Sequence, residues 1–394
     1  MKIIEHALKN NMKLKTLLLA AICSFNFVHT QNQINSFKEK FELPIEVKET
    51  SGLLFLDGKI ITHNDSGNAP NLYELDSLSG AILRTVTISN ATNIDWEDLA
   101  ENDTHIFIAD IGNNNGNRND LKIFKILKSD FKNNTAVSAE IISYSYEDQT
   151  DFSKQPNSSN FDAEGIVIYG NDLLVFTKNW ADFKTNVYKI PLTSGNYIAT
   201  KVSAANVEGL ITSAIYIDDR FFLTGYNTSL IPFLIYIDFN RMPGEDIFSS
   251  GFNRISLENK LEQGSQVEAI TNIGFTGNYY ISRENVSTTV SGTRYTLKQK
   301  LYQFYEANSA LLAVHKNELA LVKISPNPII DKIRIKTSCT FYSIEIYNAA
   351  GESVFISRLK NQKEVDISAL SAGIYYLKIQ LKDTNSIIRK IIKL

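Results

Sequence analysis

The sequence predicts an all-β protein, and three observations carry that expectation. Its 394 residues include 18 Tyr and 22 Phe beside abundant Ile, Val and Thr, types that suit a pleated backbone. Short apolar runs ending in small or polar residues recur along the chain. One element, "DWEDLA" at residues 95–100, has echoes at four other places.

Those echoes define the first strand of a repeating unit. "FDAEGIVI" (161–168), "NVEGLIT" (206–212) and "QVEAITN" (266–272) share Glu, a small residue and an aliphatic one; "ETSGLLF" (49–55) fits with Ser51 in place of Glu. The second strand follows as "KIITHND", "HIFIADI", "LLVFTKN", "FFLTGYN" and "YYISREN". The third carries an aromatic at Tyr73, Phe124, Tyr188, Tyr236 and Tyr302. The fourth reads "LRTVTI", "AEIISYSY", "YIATKV" and "FNRISL". Four short strands repeated five times predict a five-bladed β-propeller, with six blades as the alternative. "FELPIEV" (41–47) is expected to supply the outer strand of the last blade and close the ring, which removes exposed edges.

Flanking segments set the domain organisation. Met12 to Lys15 is basic, "TLLLAAICSFNFV" is apolar and "HTQNQ" is polar, the layout of a secretory signal peptide over residues 1–31. Ile22 stands where a lipid anchor at Cys23 would need a small residue. The propeller is expected over 32–310 and a linker over 311–322. After cleavage only Cys339 remains, so no internal disulfide can form. Residues 323–394 hold 12 Lys+Arg against 6 Asp+Glu, whereas 32–322 hold 24 against 36. An acidic exported domain is a poor nucleic-acid binder, because phosphate neutralisation needs clustered Lys and Arg. A monomer is expected.

In a propeller the first strand starts, and the second ends, at the same mouth of the central channel. Ser51, Glu97, Glu164, Glu208 and Glu268 are therefore expected to form a ring there. His63, Asp110, Lys178, Gly225 and Arg283 lie beside it, and Asn64, Asn179 and Glu284 one step on. Ca²⁺ accepts six to eight oxygen ligands in flexible geometry, so Glu97, Glu164, Glu208 and Glu268 form the expected metal set. Asn64, Asp95, Asn179 and Glu284 are candidate ligand-binding residues. The candidates for chemistry are Asp110, Lys178, Arg283 and His63, as acid, base or anion stabiliser. The competing reading has each Glu accepting backbone N–H groups of the next blade as a structural lock. "DIGNNNGNRND" (110–120) reads as a long inter-strand turn or a rim loop, and Trp96 and Trp180 as packing between blades or the floor of a sugar site. No nucleophile elbow, Walker loop, CxxC pair or zinc helix motif is present.

From Lys323 the register changes. "SPNP" with Asp331, "IYNAAG" with Gly351, "DISALSAGIYYLKI" and a basic-aliphatic end together resemble the C-terminal sorting domain of type IX secretion cargo, over about the last 72 residues. That resemblance implies a small Ig-like β-sandwich read by the outer-membrane export machinery, with the protein released or anchored at the cell surface. The propeller is similar to a set of exported propellers of unassigned function that carry "SGL", "NDSG", "DWEDLA" and "DIGNN". Here these stand as "SGLLF", "HNDSG" (63–67), "DWEDLA" and "ADIGNNNGNR" (109–118). It also loosely resembles calcium-dependent phytase-like, gluconolactonase and paraoxonase propellers, which implies a metal held by acidic residues at the inner strands. Two functions follow as expectations. One is a binding propeller for an extracellular ligand; the other is a metal-assisted hydrolase of a phosphoester, lactone or glycan.

Overall fold

The computed structural model describes residues 33–217, 219–239, 246–262, 264–274, 277–290, 293–307, 322–337, 341–349, 351–358, 362–381 and 386–394. The expected signal peptide with Cys23, Cys339, and residues 311–321 of the expected linker lie outside them.

After β1 (Gln33–Glu42) and a 3₁₀ turn (Ile45–Val47), the chain runs through antiparallel meanders. The first sheet holds β2 (Thr50–Leu56), β3 (Lys59–Asn64), β4 (Asn71–Asp76) and β5 (Ile82–Ile88). The second begins with β6 (Trp96–Glu101), β7 (His105–Asp110) and β8 (Lys122–Leu127). A short helix α1 (Lys128–Asn133) and β9 (Ala136–Val137) then lead to its outer strand β10 (Glu140–Tyr146). On the way β9 pairs in parallel with β5 of the first sheet. The third sheet is β11 (Ala163–Tyr169), β12 (Asp172–Thr177), β13 (Thr185–Pro191) and β14 (Gly195–Ala205). The fourth is β15 (Leu210–Ile217), β16 (Arg220–Tyr226), β17 (Pro232–Asp238) and β18 (Asn253–Ser256). In the fifth, β19 (Val267–Asn272) and β20 (Asn278–Arg283) are followed by the hairpin β21 (Val286–Val290) and β22 (Thr293–Leu297), then β23 (Lys300–Ala307).

The outer strand of the fifth sheet comes from the other end of the chain, as the closure argument requires, but from a different segment. It is β1, paired from Gln33↔Ala307 to Glu42↔Lys300; the expected "FELPIEV" contributes only Phe41 and Glu42 before Pro44 ends the pairing. A second departure joins two sheets, since β10 and β14 pair in parallel, Ile142↔Gly195 to Tyr146↔Ala199. Both devices cover strand edges that would otherwise be open to another chain.

The first strands pack side by side in a closed circuit: β2 on β6, β6 on β11, β11 on β15, β15 on β19, and β19 on β2. Hydrophobic clusters fill each gap. Leu54 and Ile61 meet Trp96 and Ile108; Phe107 and Ile123 meet Ile166 and Val175; Val167 and Phe176 meet Phe221 and Leu223. Phe222 and Tyr236 meet Ile270 and Tyr279, and Ala269 and Tyr280 meet Leu53 and Ile60. Each sheet is thus buried on both faces, so second strands such as "HIFIAD" and "LLVFT" are apolar throughout rather than alternating. The result is an all-β, propeller-like ring.

The C-terminal residues form two facing sheets. One contains β24 (Val322–Ser325), β25 (Lys332–Thr337) and β28 (Glu364–Asp366). The other is ordered β27 (Ser353–Ser357), β26 (Phe341–Asn348), β29 (Gly373–Leu381), β30 (Ser386–Lys393). Ile333, Ile335 and Val365 of the first pack on Ile344, Ile346, Leu377 and Ile391 of the second.

Candidate functional site

All five first strands break register at one end. Pairing with the second strand skips a residue between Ser51 and Leu53, Trp96 and Asp98, Ala163 and Gly165, Ile211 and Ser213, and Val267 and Ala269. A bulge leaves its extra residue unpaired and re-aims its side chain. The skipped residues are Gly52, Glu97, Glu164, Thr212 and Glu268. Three of the expected ring glutamates therefore occupy one structural position, and two assignments are corrected. Gly52, rather than Ser51, is the counterpart in the first sheet. Thr212 takes the place expected for Glu208.

Glu208 precedes β15, has φ 54° and is exposed, so it is not a member of the ring. The tripeptide Glu-Gly-Leu imitates the motif four residues too early. Gly209 packs so tightly on the Phe233 ring that a Cβ there would overlap it. Ser51 still reaches the mouth, where its hydroxyl donates to the Glu97 carbonyl at 2.5 Å.

The mouth opens into a cavity of about 340 Å³. Its carboxylates are Asp65, Glu97, Glu164, Glu268 and Glu284; Lys178, Trp180 and Tyr226 form one wall, and Asn114, Asn157 and Gln266 lie around it. Asp65, Asp95 and Glu97 each place a carboxylate oxygen within 4.8 Å of the others. Two oxygens about 2.4 Å from one Ca²⁺ lie at most about 4.8 Å apart, so this triad fits one hard cation. Gly112 makes the convergence possible, because a Cβ there would overlap the Glu97 carboxylate and stand 2.5 Å from Asp95 Oδ2.

Electrostatics single out the same group. Burial, then Glu164, Asp65 and Asp95, hold the Glu97 carboxyl well above its usual range. Burial with Asp65 and Asp162 pushes Asp95 up to about 7. Burial, Glu268 and Asp65 raise Glu284 to about 9, and burial raises Glu268 to about 7 although Lys178 opposes it. Lys178 is ion-paired with Glu164. Burial works to lower its ammonium, yet Glu164, Tyr226 and Glu268 together raise it well above its ordinary value. Its Nζ stands 5.2 Å from the centre of the Trp180 ring and 5.4 Å from that of Tyr226.

The loop after β7 is held rather than free. Arg118 binds Asp110 Oδ1 at 2.9 Å, the Gly112 carbonyl at 2.8 Å and Asp120 at 3.0 Å. Asp162 accepts the Asn113 N–H at 2.5 Å and the Trp180 indole N–H at 2.8 Å. This clamp presents Asn114 to the cavity and fixes the edge of Trp180.

The structure brings Glu97, Glu164, Lys178, Glu268 and Glu284 together at the mouth, with Asp95 beside them. Other candidates sit elsewhere. His63 is fully buried against Trp96, with ring centroids 5.6 Å apart, and its Nδ1 meets the Asn64 carbonyl at 3.0 Å. Asp110 is buried on Arg118 and accepts the Asp95 N–H at 3.1 Å. Arg283 is buried on Glu262, Ser265 and the Lys298 carbonyl, fastening a loop outside the cavity. Asn64 braces the 46–49 turn and Asn179 bonds Thr177 and Asp182. Trp96 packs between the first two sheets. Sequence reasoning missed Asp65, Asp162, Tyr226 and Gln266; Asp65 lies inside the quoted "HNDSG", and Asp162 stands two residues before Glu164.

No curated protein matches the chain. Among solved structures, an exo-β-1,3-galactanase from Phanerochaete chrysosporium with bound β-1,3-galactotriose is 9% identical; the alignment covers 92% of this chain and 100% of that one, with a TM-score of 0.41. The WD40 β-propeller domain of Doa1 is 10% identical over 90% and 96% of the two chains, TM-score 0.30. The extracellular domain of a hybrid two-component system from B. thetaiotaomicron is 12% identical over 92% and 57%, TM-score 0.30. Scores this low carry nothing about activity. Residues 323–394 match the secretion system C-terminal sorting domain family, which marks the protein as one handled by the type IX secretion machinery and exported to the cell surface or extracellular space.

Proposed function

We propose that this protein is an exported five-bladed β-propeller that binds an extracellular ligand at a mouth carrying one hard divalent cation, Ca²⁺ by preference, on Asp65, Asp95 and Glu97. Five meanders and five inter-sheet clusters support five blades over six. One observation carries the site: Glu97 is only 4% exposed, and its carboxylate, unlike its carbonyl, meets no hydrogen-bond donor among the described residues and faces other carboxylates. A buried carboxylate with neither cation nor donor is expensive, and a divalent ion supplies what it lacks. Coordination beyond the triad falls to backbone carbonyls and ligand oxygens.

Binding without chemistry is favoured over hydrolysis by the fate of the cations. A hydrolase would gain from a free positive side chain to assist its metal in stabilising the anion that forms. Lys178 is committed to Glu164, and Arg283 lies outside the cavity. Isothermal titration of the mature chain with CaCl₂ tests the proposal. One bound Ca²⁺ and a higher Tm in calcium than in EDTA are expected; no heat and no Tm shift would overturn it.

A further inference from the structure

We propose that the ligand at this mouth is a neutral saccharide, whose adjacent hydroxyls complete the coordination of the cation held by Asp65, Asp95 and Glu97. This inference rests on the cation reading, and it selects the ligand class by the chemistry of the remaining wall. The acidic cluster alone would not make a site; the second observation is the Glu97 carboxylate, buried, lining the cavity and without a hydrogen-bond donor among the described residues.

Charge removes the first alternative. Beyond the triad, Lys178 is balanced by its partner Glu164, and Glu268 and Glu284 add carboxyl groups but no further cation. A bound divalent cation only balances part of this, so a phosphoester or carboxylate ligand meets net repulsion. Aromatic geometry removes the second. An organic ammonium would seek the faces of Trp180 and Tyr226, but Lys178 Nζ already stands 5.2 and 5.4 Å from those ring centres. An apolar ligand finds little apolar wall beyond these two rings.

What remains suits hydroxyl groups. The side chains of Asn114 and Asn157 line the cavity without hydrogen-bond partners among the described residues, and each amide offers both a donor and an acceptor. Gln266, which donates to the Tyr226 hydroxyl at 3.5 Å, and the carboxyl groups of Glu268 and Glu284 add acceptors. A volume of about 340 Å³ is at the small end of ligand pockets, appropriate to one or two sugar rings. Trp180, tethered through its indole N–H to Asp162, offers a fixed edge against which a ring can rest.

The test is calorimetry on the mature full chain, first with CaCl₂ and then with the methyl glycosides of D-mannose, D-galactose, D-glucose and L-fucose, each in calcium and in EDTA. Inorganic phosphate and spermidine serve as anionic and cationic probes. The expected result is millimolar or tighter binding of at least one glycoside in calcium, weakened at least tenfold by EDTA, and a tenfold loss in Asn157→Ala with calcium affinity kept. Trp180→Phe provides a second variant should Asn157→Ala fail to fold. Calcium binding with no glycoside response overturns the saccharide inference and leaves the cation reading standing. Glycoside binding unaffected by EDTA, or tighter binding of phosphate or spermidine, overturns it too. Absence of calcium binding overturns both.

Discussion

Asp98 and Ser213, 115 positions apart in sequence, meet inside the ring, where the Ser213 hydroxyl donates to Asp98 Oδ1 at 3.1 Å. Asp98 also accepts backbone N–H groups from Leu99, Ile166 and Ala214. One fully buried carboxylate therefore ties the second, third and fourth sheets together. Ser213 Oγ in turn accepts the Ile270 N–H at 3.3 Å, which extends the link to the fifth.

Replacing that hub should loosen the whole ring. Asp98→Ala leaves three buried N–H groups and a hydroxyl without an acceptor, and each such loss costs about 1–3 kcal/mol before relaxation. A net destabilisation of about 2–4 kcal/mol is expected in denaturant unfolding. A change within about 0.5 kcal/mol, the range of neutral surface substitutions, would remove Asp98 as the link between sheets.

The corrected ring makes a contrast between glutamates. Glu97→Gln should lower calcium affinity by at least about 10–100-fold, since mutating even the outer-shell partners of metal ligands costs that much. Gly112→Ala should do the same by forcing Glu97 and Asp95 apart. Glu208→Gln, at an exposed residue away from the mouth, should leave affinity unchanged. Calorimetry on the three variants checks the set; equal losses in Glu97→Gln and Glu208→Gln would return both to one site.

His63 gives stability a pH dependence. Burial pushes its imidazole down from 6.5 to about 4, so between those values the unfolded chain binds a proton that the folded chain refuses. Its contribution, about 3 kcal/mol at most, is complete above pH 6.5 and is lost as the pH falls towards 4. The mouth carboxyls act in the opposite sense: burial raises them from ordinary values of 3.8 and 4.5, so their contribution is complete below that range and is lost as the pH rises towards about 7 to 9. The measurement is therefore the difference between native protein and His63→Gln in unfolding experiments from pH 7 to 4.5. The native chain should lose more stability; parallel curves would show that His63 accepts a proton in the folded state.

Passage across the outer membrane should depend on the C-terminal residues. Deleting 323–394 should leave the chain inside the outer membrane, whereas the native protein reaches the surface or medium. Immunoblots of cell fractions measure this, and undiminished release of the deletion variant would separate the sorting domain from export.

Much of this was legible in the amino acids. Strand order within each sheet followed from the recurring apolar runs, because local pattern and pairing of consecutive strands agree. The sorting domain was legible because its motifs lie within one short segment. Closure by an N-terminal strand followed from the need to cover an edge, but not which segment: Pro44 cannot donate to a ladder, so pairing stops before it and β1 lies upstream.

The sequence by itself determined the repeat, the all-β class, the export tag and an acidic mouth containing Glu97, Glu164 and Glu268. Tertiary structure alone decided which residues meet there. A bulge is set by pairing with the neighbouring strand, so "VEGLI" could imitate "AEGIV" while Thr212 took the position in space. Asp65 arrives from the loop after a second strand and reaches Asp95 and Glu97 only because the first two sheets pack together. Arg283 and Lys178, similar in the sequence pattern, part company for the same reason: one finds Glu262 outside the cavity, the other Glu164 within it.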